Sequence, residues 1–397
     1  MALEEAPGAM PRAQLRPKED RRIRGGHCWI YESEIAAAPA DLAAGGTALV
    51  CDARGEALGS ALWNPRSRIR ARLFCRGPRD FAGFVPAALT QALVLRAAFY
   101  DRPYYRLIYG ESDGFPGLTV ERFGALLVAQ LASAAIEPHA GRLAESLLAL
   151  PGVTGLILRR DAAVRTREGL ALLEPEIQGR MPEKIHAEEG SLRFALDPES
   201  GLKSGWFFDQ RESREWVRAR AAGRRVLDLF CHSGGFALQA AAGGAKAVLG
   251  IDRSEEALDL ARASARINDL AERCRFQALD LFGGQGASGW PHGEWDLIVL
   301  DPPALAKGRG DLKSALGAYQ HLNLKAISRV APGGLLLTCS CTHPIEESVW
   351  QGTVLRAVHK AGRQARILYR GGQGPDHPVL PGMPETRYLK VLGLQIL

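Results

Sequence analysis

The sequence predicts an α/β protein. A doubly wound, mostly parallel sheet fills its C-terminal half, preceded by a small β-rich module and a small α+β domain. Three observations carry this. From about residue 224 the runs RVLDLF, AVLGID, RFQALD, WDLIVLD and GGLLLTCSC have strand length and alternate with helical segments. Strands that are apolar throughout, with helices between them, are those of a parallel sheet covered on both faces. From Pro11 to about Arg79 short strand-like runs are punctuated by glycine, as in GGTALVCDARGEALGSALWN. Between them, strand-like runs accompany single helices. At 397 residues the chain exceeds one ordinary core, and the expected domains are 1–80, 81–185 and 186–397.

In order along the chain, residues 1–11 carry no periodic pattern and are expected to fray. The segment DFAGFVPAALTQALVLRAAFY reads as a helix, with Pro86 expected in its first turn or at a break. YRLIYGESDGFPGLTVERFGALLVAQLA alternates strand-like runs around a turn at Asp113-Gly114. Glu137 to Leu150 reads as an amphipathic helix and TGLILRRD as a strand. In the C-terminal half, Ser254 to Asn268 is expected to be helical with Ser254 as N-cap, and TRYLKVLGLQIL is the last strand.

Composition is that of a globular chain, 46% hydrophobic and 24% charged, and no apolar run reaches the length of a membrane helix. MALEEAPGAMPRAQ lacks the apolar stretch of a secretion signal. Seven cysteines with no CxxC pair suit free thiols in a reducing, cytoplasmic setting. A net charge of +6 permits a polyanionic partner.

Ligands of a doubly wound sheet bind at the carboxyl ends of its strands. Four of the runs end in or near an acid: Asp228, Asp252, Asp280 and Asp301. One such acid alone could be a helix cap or an ion-pair partner; four at corresponding places point to a site. Asp252 follows Asp228 by 24 residues, the spacing of an acid that grips ribose hydroxyls. Gly234-Gly235 opens a helix where backbone can approach a ligand. G-x-G-x-x-G is missing, which argues against a dinucleotide and for one nucleoside with a non-phosphate tail, such as S-adenosylmethionine.

The segments VLDLFCHSGGFALQAAAGGAKAVLGIDRSEEALDLARASARIN, DLIVLDPPALAKG and LLLTCSCTHP resemble the class I S-adenosylmethionine-dependent methyltransferases, whose catalytic domain is Rossmann-like. More narrowly they are similar to the RlmI-type bacterial rRNA 5-methylcytosine methyltransferases. RRIRGGHCWIYESEI resembles the start of that family's N-terminal PUA domain, a small RNA-binding β-barrel. ESDGFPGLTVERFG and KSGWFFDQRESR resemble its central and linker signatures. The resemblance implies a cofactor site of Asp228, Phe230, Ser233, Gly234, Gly235, Asp252, Asp280 and Asp301. In it Asp252 would hold the ribose and Asp280 would lie near the adenine, with Gln210 and Arg211 helping to close the pocket. It implies methylation at C5 of one cytidine in 23S rRNA, free or in an assembling large subunit. A homodimer is left open, and no membrane partner is expected.

Cytosine C5 is a poor nucleophile, and a thiolate that adds to C6 activates it; this is covalent catalysis by cysteine. The resemblance assigns the thiolate to Cys341, with Asp301 of Asp301-Pro302-Pro303 facing the base. Strand alternation puts Cys339 on the same face but about 7 Å deeper, where a thiol serves packing. Ala304 stands where two-cysteine RNA methyltransferases carry a second thiol, so the base for the C5 proton is unassigned. Cys339, Cys341 and His343 lack the spacing and fourth ligand of a zinc site, and no metal is expected. The rival readings are a base-amino or guanine methyltransferase and a non-catalytic RNA-binding assembly factor.

RSRIRARLF places Arg66, Arg68, Arg70 and Arg72 at alternate positions, which on one strand would form a single phosphate-binding face. Arg21, Arg22 and Lys307 are further expected RNA contacts; a merely solubilising edge strand is the bland alternative.

Overall fold

A computed structural model describes residues 10–197, 205–283, 289–306 and 308–397. The chain divides into two compact units. Of the described residues, one comprises those within 10–185, 197, 205 and 375–386; the other comprises those within 186–196, 206–374 and 387–397. The second unit begins at His186, and Pro375–Thr386 packs with the first.

In the first unit, strands β1 (Arg12–Leu15), β2 (Trp29–Tyr31), β3 (Ile35–Ala37), β4 (Thr47–Cys51), β5 (Ala57–Trp63) and β6 (Ile69–Cys75) form a sheet in the order β2-β6-β5-β4-β1-β3. Helix α1 (Asp20–Arg24) contributes Ile23 to its core, beside Ile30, Val50, Trp63 and Leu73. Strands β7 (Tyr104–Tyr109), β8 (Leu118–Phe123), β9 (Leu126–Leu131), β10 (Gly155–Arg160) and β11 (Leu173–Gly179) form a second sheet, with helices α2 (Phe81–Ala97), α3 (Ala140–Leu148) and α4 (Val164–Arg167). Residue 80 separates the two sheets but not two units. Leu62 and Phe74 share a core with Phe81, Phe84 and Phe115, and Trp29 Nε1 donates to Glu111 at 2.8 Å. Pro86 departs from expectation: α2 starts at Phe81, where the Asp80 carboxylate accepts from the Gly83 N–H at 2.9 Å, so the proline sits in the second turn without ending the helix.

In the second unit, β12 (His186–Glu189) and β13 (Leu192–Ala195) form a hairpin that the sequence reading passed over. Among the described residues the large sheet has seven strands: β14 (Arg225–Leu229), β15 (Ala247–Asp252), β16 (Cys274–Ala278), β17 (Trp295–Leu300), β18 (Val330–Ser340), β19 (Ala365–Gly371) and β20 (Lys390–Ile396). Their order is β16-β15-β14-β17-β18-β20-β19, and β16 to β18 are parallel. β20 runs antiparallel to both β18 and β19. Helices α5 (Arg211–Arg218), α6 (Gly235–Ala242) and α7 (Glu255–Ile267) form one covering group, and α8 (Leu312–Ile327) packs against α9 (Glu347–Lys360). Ser254 caps α7, its Oγ accepting from the Ala257 N–H at 3.2 Å. The core joins Leu227, Ile298, Leu336 and Leu392 of the sheet to Tyr319 and Trp350. The strand order reverses between β14 and β17, where a doubly wound sheet opens a crevice. No described helix is long and apolar enough to cross a membrane.

Candidate active site

The register of the parallel strands aligns their ends. Leu229 pairs with Ile251 and with Leu300, so Phe230, Asp252 and Asp301 form the next row. Leu300 pairs with Thr338, which places Cys339 beside Asp301 and carries Cys341 past the edge of the row.

The loop after β14 is wound tightly. Phe230 (φ 65°), His232 (φ 48°) and Gly234 (φ 81°) all take left-handed backbone. For residues other than glycine this costs of order 1–3 kcal/mol, a strain that gathers at functional sites. Asp228 holds the loop from beneath: it is wholly buried and accepts the Ala237 N–H at 2.9 Å. Asp228, which the sequence placed among ligand contacts, thus supports the loop through this bond. A Cβ on Gly234 would lie 2.7 Å from Leu238 Cδ1 and 3.0 Å from Ala261 Cβ, so the glycine makes room for neighbouring helices. Ser233 is buried, its Oγ 3.1 Å from His232 Nδ1.

Asp252 ends β15, and its two carboxylate oxygens accept from the backbone N–H groups of His232 (2.9 Å) and Ser254 (3.0 Å). The carboxylate is thereby fixed, with lone pairs remaining for a diol. Asp280 is exposed and accepts the Phe282 N–H at 2.9 Å. Phe282 in turn meets Phe230, with ring centroids 5.2 Å apart. A fixed carboxylate and an aromatic pair are groups of the kind that take a diol and a flat ring. Phe282 escaped the sequence reading, because a single aromatic in a loop has no periodic signature.

Asp301 accepts from Gln210 Nε2 at 2.9 Å, which brings part of the FFDQR segment to the end of β17. Asp209, not singled out in the sequence, accepts a short hydrogen bond from the Tyr388 hydroxyl. Arg211 Nε is 3.9 Å from Glu189, and its guanidinium lies over the Phe208 ring. Although part of Asp301 stays accessible, burial and the neighbouring Asp209 push its carboxyl up to about 7, against the hydrogen bond from Gln210. Burial foremost raises Asp228 to about 8. A carboxyl raised on folding keeps its proton in the folded chain where the unfolded chain has lost it. Its stabilising contribution is therefore complete below about pH 4 and is lost as pH rises towards 8. We expect the melting temperature to fall over that window, and Asp228→Asn to flatten the fall; an equal fall in the variant would show that another group causes it.

The two thiols differ as their positions demand. Cys339 is fully buried, and burial drives its pKa well above the ordinary thiol value. Cys341 is partly exposed, with Sγ 3.9 Å from the Pro302 carbonyl. Thr342 joins the two motif loops: its Oγ1 accepts the Leu305 N–H at 2.9 Å and lies 2.7 Å from the Tyr319 hydroxyl. Pro303 and Ala304 are exposed beside them. Among the described residues, no three His, Cys, Asp or Glu side chains gather as a metal site.

The arginine row needs correcting. β6 begins at Ile69, so Arg66 and Arg68 precede the strand and are exposed. Arg70 is half-buried and paired with Glu32. Arg72 is buried, 2.9 Å from Glu168 and against the Trp29 ring. Alternation holds only while the strand lasts, and carboxylates brought from elsewhere in the chain claim the last two. Arg21 and Arg22 are exposed on α1, with Arg22 bonded to Glu34 at 2.6 Å. Lys307 lies outside the described residues.

Acids at the strand ends beside the switch point of a doubly wound sheet suit a nucleoside ligand. Residues 175–361 match the S-adenosylmethionine-dependent methyltransferase family, and residues 13–76 match the PUA-like domain. The chain is therefore an S-adenosylmethionine-dependent methyltransferase with a Rossmann-like catalytic domain and a PUA-like N-terminal domain. Over 377 residues it is 36% identical to ribosomal RNA large subunit methyltransferase I of Cronobacter sakazakii, covering 92% of this chain and 94% of that one. The Klebsiella pneumoniae subsp. pneumoniae protein of the same name is 34% identical, covering 98% of each. The chain belongs to the ribosomal RNA large subunit methyltransferase I family. In fold it is similar to a Streptococcus mutans protein provisionally described as an S-adenosylmethionine-dependent methyltransferase, at a TM-score of 0.79 and 18% identity, covering 97% of this chain and all of that one. A second such structure, solved with S-adenosylhomocysteine, has a TM-score of 0.80 at the same identity and coverage.

Proposed function

We propose that this chain methylates C5 of one cytidine in large-subunit rRNA, in the cytoplasm, with Cys341 as nucleophile. The observation that carries the reading is the contrast between the two thiols: Cys341 is partly exposed where β18 ends, beside Pro302 and two residues beyond the row of Asp301, while Cys339 is sealed in the core. Relatives named for large-subunit rRNA methylation and a PUA-like domain support RNA as substrate.

Addition of the Cys341 thiolate to C6 forms an S–C6 bond and makes C5 nucleophilic, while N3 takes up the displaced electron density. Asp301, raised to about 7, is partly protonated at neutral pH and can donate to N3. S-adenosylmethionine, when bound, supplies the electrophilic methyl; Asp252 would hold its ribose, and Phe230 with Phe282 would flank its adenine. Loss of the C5 proton then lets the thiolate leave. The target base must be turned out of folded RNA to reach Cys341.

The test is mass mapping of rRNA from a deletion strain. One 5-methylcytidine in 23S rRNA should disappear and return with the gene. Loss of an amino-methylated base or a methylated guanine instead would favour the rival chemistry, and an unchanged modification map would reject catalysis on rRNA.

For the N-terminal domain, changing Arg66 and Arg68 together to Ala should weaken RNA binding and lower its salt slope by about 2, since each phosphate contact releases counterions. Arg72→Ala should act differently. It leaves Glu168, largely buried, without that partner and should cost about 2–4 kcal/mol of stability. A double variant with an unchanged salt slope, measured by filter binding, would show that the two exposed arginines only solubilise.

A further inference from the structure

Lys390 is buried, with only 5% of its surface exposed, and opens β20 opposite Ser340 of β18. Its Nζ donates to the carbonyl oxygen of Thr342 at 3.0 Å and to that of Tyr388 at 2.9 Å. Thr342 is the residue after Cys341, so the ammonium is tied to the turn that carries the partly exposed thiol. Among the described residues no carboxylate forms an ion pair with Lys390. A buried charge without a counter-charge is costly, and two carbonyls offset only part of that cost.

The surrounding groups leave that charge uncancelled. Arg387 and Glu347 pair with each other at 2.7 Å and largely offset one another. Asp301 and Cys339 lie on the sheet side of Cys341 and Tyr319 on the α8 side; Cys339 and Tyr319 are neutral near pH 7, and Asp301 is partly so. His343 is exposed in the same turn. Burial lowers the Lys390 ammonium to about 8, while Cys341 and Glu347 work in the opposite sense, so it stays charged at neutral pH.

We propose that Lys390 is a positioning residue for Cys341: its ammonium holds the Thr342 carbonyl, fixing the turn that presents the thiol, and its uncancelled charge stabilises the thiolate. In that ionisation the S–H bond breaks, the proton passes to solvent, and the ammonium keeps its own three protons. The use of the thiolate in catalysis rests on the reading above; its formation requires no RNA.

The test is the pH dependence of Cys341 alkylation by iodoacetamide, followed by peptide mass spectrometry on the full chain. In the wild type the midpoint should fall about one pH unit below the roughly 8.5 of a free thiol. Lys390→Met should raise it by about one unit, slowing alkylation about tenfold at pH 7, and Lys390→Arg should restore it. An unmoved midpoint in a Lys390→Met protein that still binds S-adenosylhomocysteine would overturn the proposal. So would a wild-type midpoint at or above 8.5, which decides the matter if the variant does not fold. The two readings fail separately: methylation by a Cys341→Ala variant would remove the catalytic role and leave the coupling of Lys390 to the thiol intact.

Discussion

Cys341→Ala is expected to abolish methyl transfer, by on the order of 10⁴-fold or more, because a covalent mechanism has no substitute for its nucleophile. Binding of S-adenosylhomocysteine should persist, since Cys341 lies beyond the row formed by Phe230, Asp252 and Asp301. Cys339→Ala should behave in the opposite way. Its thiol is fully buried, so the variant should keep most activity and lose on the order of 1–2 kcal/mol through a small cavity. RNA carrying 5-fluorocytidine at the target should trap the wild-type protein, because fluorine at C5 cannot depart as a proton. Peptide mapping should place the adduct on Cys341. An adduct on Cys339, or turnover by Cys341→Ala, would sink the assignment. Absence of any adduct, with both variants active, would remove the covalent mechanism and leave chemistry at the base amino group centred on Asp301.

The second large effect is expected at Asp252. Asp252→Ala should weaken S-adenosylmethionine binding roughly ten- to a hundredfold by calorimetry, the equivalent of about 1.5–3 kcal/mol for hydrogen bonds to a charged group. The variant also strips the His232 and Ser254 N–H groups of their acceptor, so it should lower the melting temperature and loosen the strained loop after β14. Asp252→Asn separates the two effects. It keeps an acceptor for one of those N–H groups, so it should recover part of the stability and less of the affinity. Unchanged affinity in a folded Asp252→Ala protein would move the cofactor site elsewhere.

The legible and illegible parts of the molecule divide by the range of the forces involved. Strands β14, β15, β17 and β18 could be read because a strand covered on both faces must be apolar along its length, as RVLDLF and WDLIVLD are; the edge strand β16, with Arg275, Gln277 and Ala278 exposed, and the closing strand were read as well. β19, written ARILYRG with alternating exposure, and the β12–β13 hairpin carried weaker patterns and were missed. The arginine row was misjudged because local alternation says nothing of Glu168, which lies 96 residues from Arg72. Lys390 had left a trace, a cation inside the apolar run of TRYLKVLGLQIL, but its two carbonyl partners could not be inferred from that run.

By itself, then, the sequence determined the alternation of strand and helix, the four acids at or near strand ends, the glycines of a tight loop and the pair of thiols where a strand closes. Each is written in neighbouring residues, because periodicity and backbone preference act over a few positions. Only the tertiary structure decided what those groups do to one another. It buried Asp228 as a support, set Gln210 on Asp301, sealed Cys339 and put a buried ammonium against the turn of Cys341. Burial and charge act through space, so their effect on a side chain depends on residues far along the chain, which only the strand register brings into contact.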